Sequence, residues 1–408
     1  MALNTTPFAI APRAAHAGPR RVEAPPAPWG DDVKRILCVR VDHLGDVLMT
    51  TPAMRALRES APGRHLTLLA SPAGAAIAPY LDDVDDVIVY DAPWVNPTPR
   101  GTPDDHAAMV ARLAGGRFDA AAIFTVYSQN PLPAAMLCFQ AGIARRLAHC
   151  RENPYSLLTD WIVEPEPHAR VRHEVERQLA LVEAVGARAA DPRMRIAVRD
   201  ADRDALRARL AMHGIGRDER YVVLHPGATA ASRRYPPAQY AQALDALVRD
   251  SGCRVLLTGS PDEAALTRAV FDAVQPATRM QIVDLAGASA LGEFVALLES
   301  AALLIANNSG PVHIAAALGA PVVDLYALTN PQHTPWHTPH RLLYRDVACR
   351  WCYRGECPAG HHACLQGIAP EEVARAALDL LREDGGLRSG LYDAAGEPPA
   401  APAGERLA

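Results

Sequence analysis

The chain has 408 residues, 49% of them hydrophobic, with 41 basic and 46 acidic side chains and a formal net charge of −5. That is room for two domains of ordinary size, and the near-neutral balance argues against a basic nucleic-acid-binding surface. Lys34 is the only lysine, which argues against Schiff-base chemistry and leaves phosphate recognition to arginine and backbone amides.

No apolar run reaches the length of a membrane span. Residues 1–32 are rich in Ala, Pro and Arg but lack the continuous apolar segment of a secretion signal, so they read as a disordered extension and the expected location is cytoplasmic. Arg35 to Val41 reads as a buried strand running into Asp42-His-Leu-Gly-Asp46. Gly45 permits a tight turn there, and Asp46 stands where a helix through Val47, Leu48, Ala53 and Leu57 begins. Pro52 lacks an N–H and should kink that helix or loosen its first turns. Strands Leu66–Ala70, Asp86–Tyr90 and Asp119–Phe124 follow, with helical stretches between them and a proline-rich loop from Pro93 to Pro103. His173 to Ala187 is an amphipathic helix leading toward a second unit, which places a first domain at 33–190 and a second at 191–348.

In the second unit, strand Tyr221–Leu224 ends in His225-Pro-Gly-Ala-Thr229, with Gly227 and Thr229 in the turn and Arg233 and Arg234 just beyond. A helix from Ala238 to Val248 leads to strand Arg254–Thr258, then to Gly259-Ser-Pro-Asp-Glu263 at the start of another helix. The run Ala306 to Val323 reads as strand, polar turn, helix and strand, with Ser309 near the cap and Pro311 at the first helical position. The N–H groups of Ser309 and Gly310, with the helix dipole behind them, favour an anion, and His313 lies one turn inside. An ordinary βαβ crossover with a capped helix would read the same way. No G-x-G-x-x-G follows any strand, which counts against a dinucleotide oxidoreductase. Residues 369–384 carry a final helix, able to pack back against the first lobe, and 385–408 read as a disordered tail.

Cys349, Cys352, Cys357 and Cys364 follow C-x2-C-x4-C-x6-C within residues 349–368, interrupted by His361 and His362. Four thiolates at this spacing favour a tetrahedral structural metal, zinc or iron. The rival, a pair of disulfides, is disfavoured in a reducing compartment.

Gly45-Asp46 after the first strand, His225-Pro-Gly-Ala with Arg-Arg-Tyr-Pro, Thr258-Gly-Ser with Glu263, and Asn307-Asn-Ser-Gly-Pro-Val-His313 occur in this order. Together they resemble glycosyltransferase family 9, the heptosyltransferases of lipopolysaccharide assembly, over residues 33–382. The resemblance implies an α/β GT-B fold, two Rossmann-like domains facing across a cleft. It implies an inverting transfer without a catalytic metal, from a nucleotide-sugar donor (usually ADP-heptose) on the second domain to an acceptor on the first. The acceptor would be a glycan, a glycolipid or a protein, with peripheral contact at the inner membrane and no nucleic acid as partner.

By the same resemblance Asp46 matches the catalytic base, taking the proton of the attacking hydroxyl. Arg233 falls where a lysine often stands against the diphosphate, and Arg234 could exchange roles with it. His225, Gly227, Thr229, Gly259, Glu263, Ser309, Gly310 and His313 fall at donor-binding positions, with Glu263 as the ribose or base contact. Asn308 departs from the aspartate that some members place against the donor sugar, which separates the heptose assignment from nucleotide binding. Protein O-heptosyl transfer and a sugar-nucleotide epimerase on the same scaffold are the alternatives.

Overall fold

The computed structural model describes residues 26–95, 101–168, 170–217 and 219–384. Residues 1–25 of the expected extension, 96–100 of the proline-rich loop and the tail from 385 lie outside the described residues. The rest of the extension corrects the sequence reading. Trp29 is buried, its N–H bonds the Val185 carbonyl at 2.9 Å, and its own carbonyl accepts Arg64 Nη2 at 2.8 Å. A large apolar ring with both backbone groups engaged fixes the chain before residue 33.

Two six-stranded sheets carry the described residues. The strands are β1 (Arg35–Arg40), β2 (His65–Ala70), β3 (Asp86–Val89), β4 (Ala120–Ile123), β5 (Arg145–Cys150) and β6 (Asp160–Val163), then β7 (Tyr221–His225), β8 (Arg254–Leu257), β9 (Ile282–Asp284), β10 (Leu303–Asn307), β11 (Val322–Leu325) and β12 (His340–Leu343). Their orders are β3-β2-β1-β4-β5-β6 and β12-β11-β10-β7-β8-β9, and every pairing is parallel. Counted from its own first strand, each half follows the Rossmann order. The winding therefore reverses between β1 and β4 and again between β7 and β10, and a crevice opens at the carboxyl ends of each pair.

Strands β5, β6, β9 and β12 are not evident from the sequence. Strand β5 hides a buried Arg146 whose guanidinium donates to the carbonyls of Leu157 and Ser156 at 2.7 and 2.8 Å, so a charged residue sits inside a sheet without breaking the rule on burial. The other three are edge strands, only partly buried. The helix Leu44–Glu59 runs on through Pro52. The Leu48 carbonyl, which has no N–H to accept at position 52, takes the Thr51 hydroxyl at 2.7 Å instead.

The last helix, Pro370–Asp384, lies on the second lobe rather than the first. Its stripe of Val373, Ala377 and Leu380 joins the core formed by Tyr240, Leu244 and Leu247 of the helix Pro237–Ser251. The helix Glu174–Glu183 stays with the first lobe against Leu44–Glu59. One apolar core is shared by the helices between the sheets, from Leu48 and Val182 to Val312 and Ile314.

Candidate functional site

Strand β1 ends in a fully buried arginine. Arg40 Nε lies 3.1 Å from Asp42 Oδ2, and its Nη2 lies 3.2 Å from Asp46 Oδ1 and 2.9 Å from Glu174 Oε1. Three carboxylates around one guanidinium cannot all stay ionised in a dry site without cost. Burial pushes Asp42 and Glu174 above the usual carboxylate range, against the pull of Arg40. Asp46 goes the other way: burial raises it, but Arg40 and the surroundings of the helix start hold it below that range. Its Oδ2 accepts the His43 N–H at 3.1 Å, at a helix N-terminus that favours the anion. Asp46 is thus the member of the cluster held as the anion.

At the second switch point, the loop after β7 and the loop after β10 are knitted by Asn307. Its Nδ2 donates to the Pro226 carbonyl at 2.7 Å, and its Oδ1 accepts the Tyr235 N–H and the Tyr240 hydroxyl at 3.0 Å each. Glu263 lies over the first loop. A Cβ on Gly227 would come within 2.1 Å of Glu263 Oε1, so only glycine lets the carboxylate lie there. Glu263 Oε2 also accepts the Ser260 N–H at 2.9 Å and lies 3.6 Å from His225 Nε2. Gly259 packs against the Glu263 Cβ position as well.

Ser309 caps the helix Gly310–Leu318 in extended conformation without a side-chain cap bond; its hydroxyl turns back to the Asn307 carbonyl at 3.1 Å. Asn308 Oδ1 accepts the Ala327 N–H at 3.3 Å, while its Nδ2 is buried without a partner. The two arginines left open by the sequence are told apart by their surroundings. Arg233 lies near enough to act on His313, His333 and the buried Asp324, on the two histidines after Asp46, with a buried Nε that has no partner. Arg234 is exposed and its Nε donates to the Ala228 carbonyl at 2.8 Å. Thr229 is exposed on the same loop.

The two crevices meet. A Cβ on Gly45 would lie 2.7 Å from His313 Cδ2, and one on Gly310 would lie 3.9 Å from Leu44 Cδ2, so the N-terminal ends of two helices, one from each lobe, face each other beside Asp46. Burial, reinforced by His333, lowers His313 to about 3, and burial lowers His333 to about 4. Both rings are neutral at pH 7, with His313 Nδ1 and His333 Nε2 buried and unpartnered and ring centroids 6.3 Å apart. The segment after β11 carries His333 to this point by bonding across the lobes: the Glu174 N–H donates to the Gln332 carbonyl at 3.1 Å, and His173 stacks on Trp336 at 4.4 Å.

Arg40, Glu174 and His333 escape sequence reasoning. The one signal available was Arg40 itself, a charge inside an otherwise apolar strand. The cysteine segment lies against the cleft. Trp351 and Tyr353 donate their N–H groups to the Leu328 and Thr329 carbonyls at 2.7 and 2.9 Å. Ser232, next to Arg233, bonds the carbonyls of Gly355 through its N–H at 3.0 Å and of Arg354 through its hydroxyl at 2.7 Å. The Tyr353 hydroxyl meets that of Tyr127 in the first lobe.

Cys349, Cys352, Cys357 and Cys364 are free thiols. Burial, with the other three cysteines adding to it, raises Cys364. Burial also acts to raise Cys357, but the N–H groups of residues 359–362 outweigh it and favour its thiolate. Among the described residues, however, no group of three or more His, Cys, Asp or Glu is arranged to hold a metal ion, so the expected tetrahedral site is not assembled.

Two Rossmann-like lobes facing across a cleft have the architecture of a GT-B glycosyltransferase. The chain belongs to glycosyltransferase family 9 (heptosyltransferase), whose description matches residues 107–362. Among similar proteins, lipopolysaccharide heptosyltransferase 2 of Salmonella typhimurium is 24% identical over 372 residues, 86% of this chain and 99% of that protein. The solved glycosyl transferase family 9 protein from Veillonella parvula superimposes with a TM-score of 0.73 at 22% identity, over 88% of this chain and 100% of the other. The E. coli ADP-heptose LPS heptosyltransferase II gives 0.68 at 22% identity, over 86% and 99%.

Proposed function

We propose that the protein is an inverting heptosyltransferase that moves heptose from ADP-heptose to a hydroxyl of a lipopolysaccharide core or another surface glycan. The observation that carries the reading is the meeting of Asp46 with the Gly310–Leu318 helix start across the cleft. Asp46 takes the proton of the acceptor hydroxyl while its oxygen attacks the anomeric carbon from the face opposite the diphosphate. The bond from that carbon to the diphosphate oxygen breaks, and Arg233 with the N–H groups at Ser309 and Gly310 takes up the charge of the leaving group. His313 and the Asn308 amide, each with an unpartnered nitrogen, fit hydrogen bonds to donor oxygens. Glu263, over Gly227, fits the ribose hydroxyls. None of these steps calls on a metal.

No described helix is long and apolar enough to cross a membrane; a reaction on a nascent lipid-linked glycan would then take place at the inner face of the inner membrane, by peripheral contact. A structural zinc or iron at the four cysteines stays a proposal, supported by the thiolate-favouring N–H groups around Cys357 and requiring the segment to close around the ion.

Incubation with ADP-heptose in the presence and absence of acceptor glycan tests the function. Heptosylated product that needs acceptor, with inverted anomeric configuration by proton NMR, is the expected result. Sugar-nucleotide conversion without acceptor would replace it with the epimerase reading, and heptosylated protein with protein O-heptosyl transfer.

A further inference from the structure

Arg233, the arginine assigned to the leaving diphosphate, is not fixed by its own side chain. Its Nε is buried without a partner, and among the described residues its guanidinium forms no ion pair. A long side chain without partners keeps its rotamer freedom, which works against a preorganised grip. The placing of Arg233 therefore falls to the backbone on which it stands. That backbone is one 3-10 turn, Ala231–Arg233, and it is braced at the buried Ser232.

The brace is the segment from Trp351 to Gly355. Ser232 gives its N–H to the Gly355 carbonyl at 3.0 Å and its hydroxyl to the Arg354 carbonyl at 2.7 Å. The segment is itself pinned at alternate residues, by the N–H groups of Trp351 and Tyr353 on the Leu328 and Thr329 carbonyls. Both residues stand in the left-handed region, at φ 61° and 52°, where side chains with a Cβ are seldom found. The bonds on Leu328, Thr329 and Ser232 hold the backbone in this disfavoured bend.

The bend brings the Tyr353 hydroxyl to that of Tyr127 in the first lobe, with the rings edge to face at 6.0 Å. Tyr127 belongs to a turn after β4, closed by the Gln129 N–H on the Val126 carbonyl at 3.0 Å. The same turn sends Gln129 Nε2 to Asp42 Oδ1 at 2.6 Å, and Asp42 shares Arg40 with Asp46. One run of bonds thus joins the turn under Arg233 to the cluster around Asp46, across the cleft.

We infer that Tyr353 and Tyr127 are positioning residues for the transfer. Their contact aligns the Arg233 turn with the Asp46 cluster, so that the leaving-group arginine and the base act on one sugar together. Neither ring has to touch substrate. The inference rests on the transferase reading and adds to it two residues outside both the base and the donor grip.

The test takes the full chain as wild type, Tyr353→Phe, Tyr127→Phe, both together, Ser232→Ala, and Tyr353→Phe combined with Arg233→Ala. For each, ADP-heptose affinity is measured by calorimetry and kcat by transfer to acceptor glycan. Phenylalanine keeps the ring and removes only the hydroxyl. Each tyrosine variant should lower kcat about tenfold, with ADP-heptose affinity within about threefold of the wild type. Ser232→Ala, which cuts the brace at its other end, should lower kcat by a similar factor. The two tyrosine changes together should be no worse than either alone. In the Arg233→Ala enzyme, where no side chain is left to place, Tyr353→Phe should cost less than about twofold. A merely structural link would instead add its full loss to that of Arg233→Ala. That result, or wild-type kcat in both single tyrosine variants, would overturn the inference while acceptor-dependent transfer by the wild type upholds the transferase. A wild type that neither binds ADP-heptose nor transfers from it would overturn both.

Discussion

The two crevices are built on the same strand order, yet they hold opposite chemistry. At the β1/β4 switch point a single buried cation, Arg40, is surrounded by Asp42, Asp46 and Glu174. At the β7/β10 switch point there is an arginine, two neutral histidines, an amide with a free N–H and an open helix start. Topology places a crevice in each lobe; the residues on the loops decide whether it gathers carboxylates around a cation or arginine, imidazole and amide groups around a helix start. The difference also explains why one lobe needs Arg40. Without it three neighbouring carboxylates would repel one another, and Asp46 would be pushed toward the protonated form that cannot act as base.

Asp46→Asn is the sharpest way to break this division of labour. The amide keeps the shape and loses the proton acceptor, so transfer should fall by about 10²–10⁴-fold. ADP-heptose affinity by calorimetry should change by no more than about threefold, because the loss falls on a step after binding. Equal losses in binding and turnover would move Asp46 to the donor grip and erase the contrast between the lobes.

Arg233→Ala should cost less, about 10²–10³-fold in kcat, as expected for one group stabilising a leaving anion. Arg234→Ala, at an exposed position next door, should stay within about threefold of the wild type. Reversed effects would mean that the Ala230–Pro236 turn rearranges when donor binds, handing the diphosphate to Arg234.

Much of this was legible before any coordinates. Asp46, Gly310 and His313 belong to local patterns, each a short polar run at the end of an apolar strand, and such runs announce themselves. Arg40 and Glu174 do not, since their meaning comes from a pairing across 134 positions of sequence. His333 lies in a run with no helical or strand period, held by its N–H on the Tyr326 hydroxyl and by its neighbours' bonds to the other lobe. The cysteine segment is a different case. Its spacing speaks for a metal, but spacing says nothing about where a segment docks, and its contacts with Ser232 and Tyr127 put it beside the cleft. The final helix, which its sequence leaves able to pack back against the first lobe, lies on the second: an apolar stripe fixes that a helix packs, not against what.

Gly45 and His313 allow the smallest effect and the most direct test of whether the two crevices work as one. A Cβ on Gly45 would fall 2.7 Å from His313 Cδ2, well inside contact distance, and the buried ring has little room to retreat. Gly45→Ala should therefore part the lobes slightly and raise the donor KM about tenfold, about 1.4 kcal/mol. His313→Ala removes the obstacle together with whatever the ring contributes to donor binding. With the lobes in contact during turnover, adding Gly45→Ala to His313→Ala should have almost no further effect, a coupling of about 0.5–3 kcal/mol in a double-mutant cycle. Additive losses would show that the lobes stand apart during turnover. The base and the diphosphate grip would then have to meet by a closing motion rather than across an interface already formed.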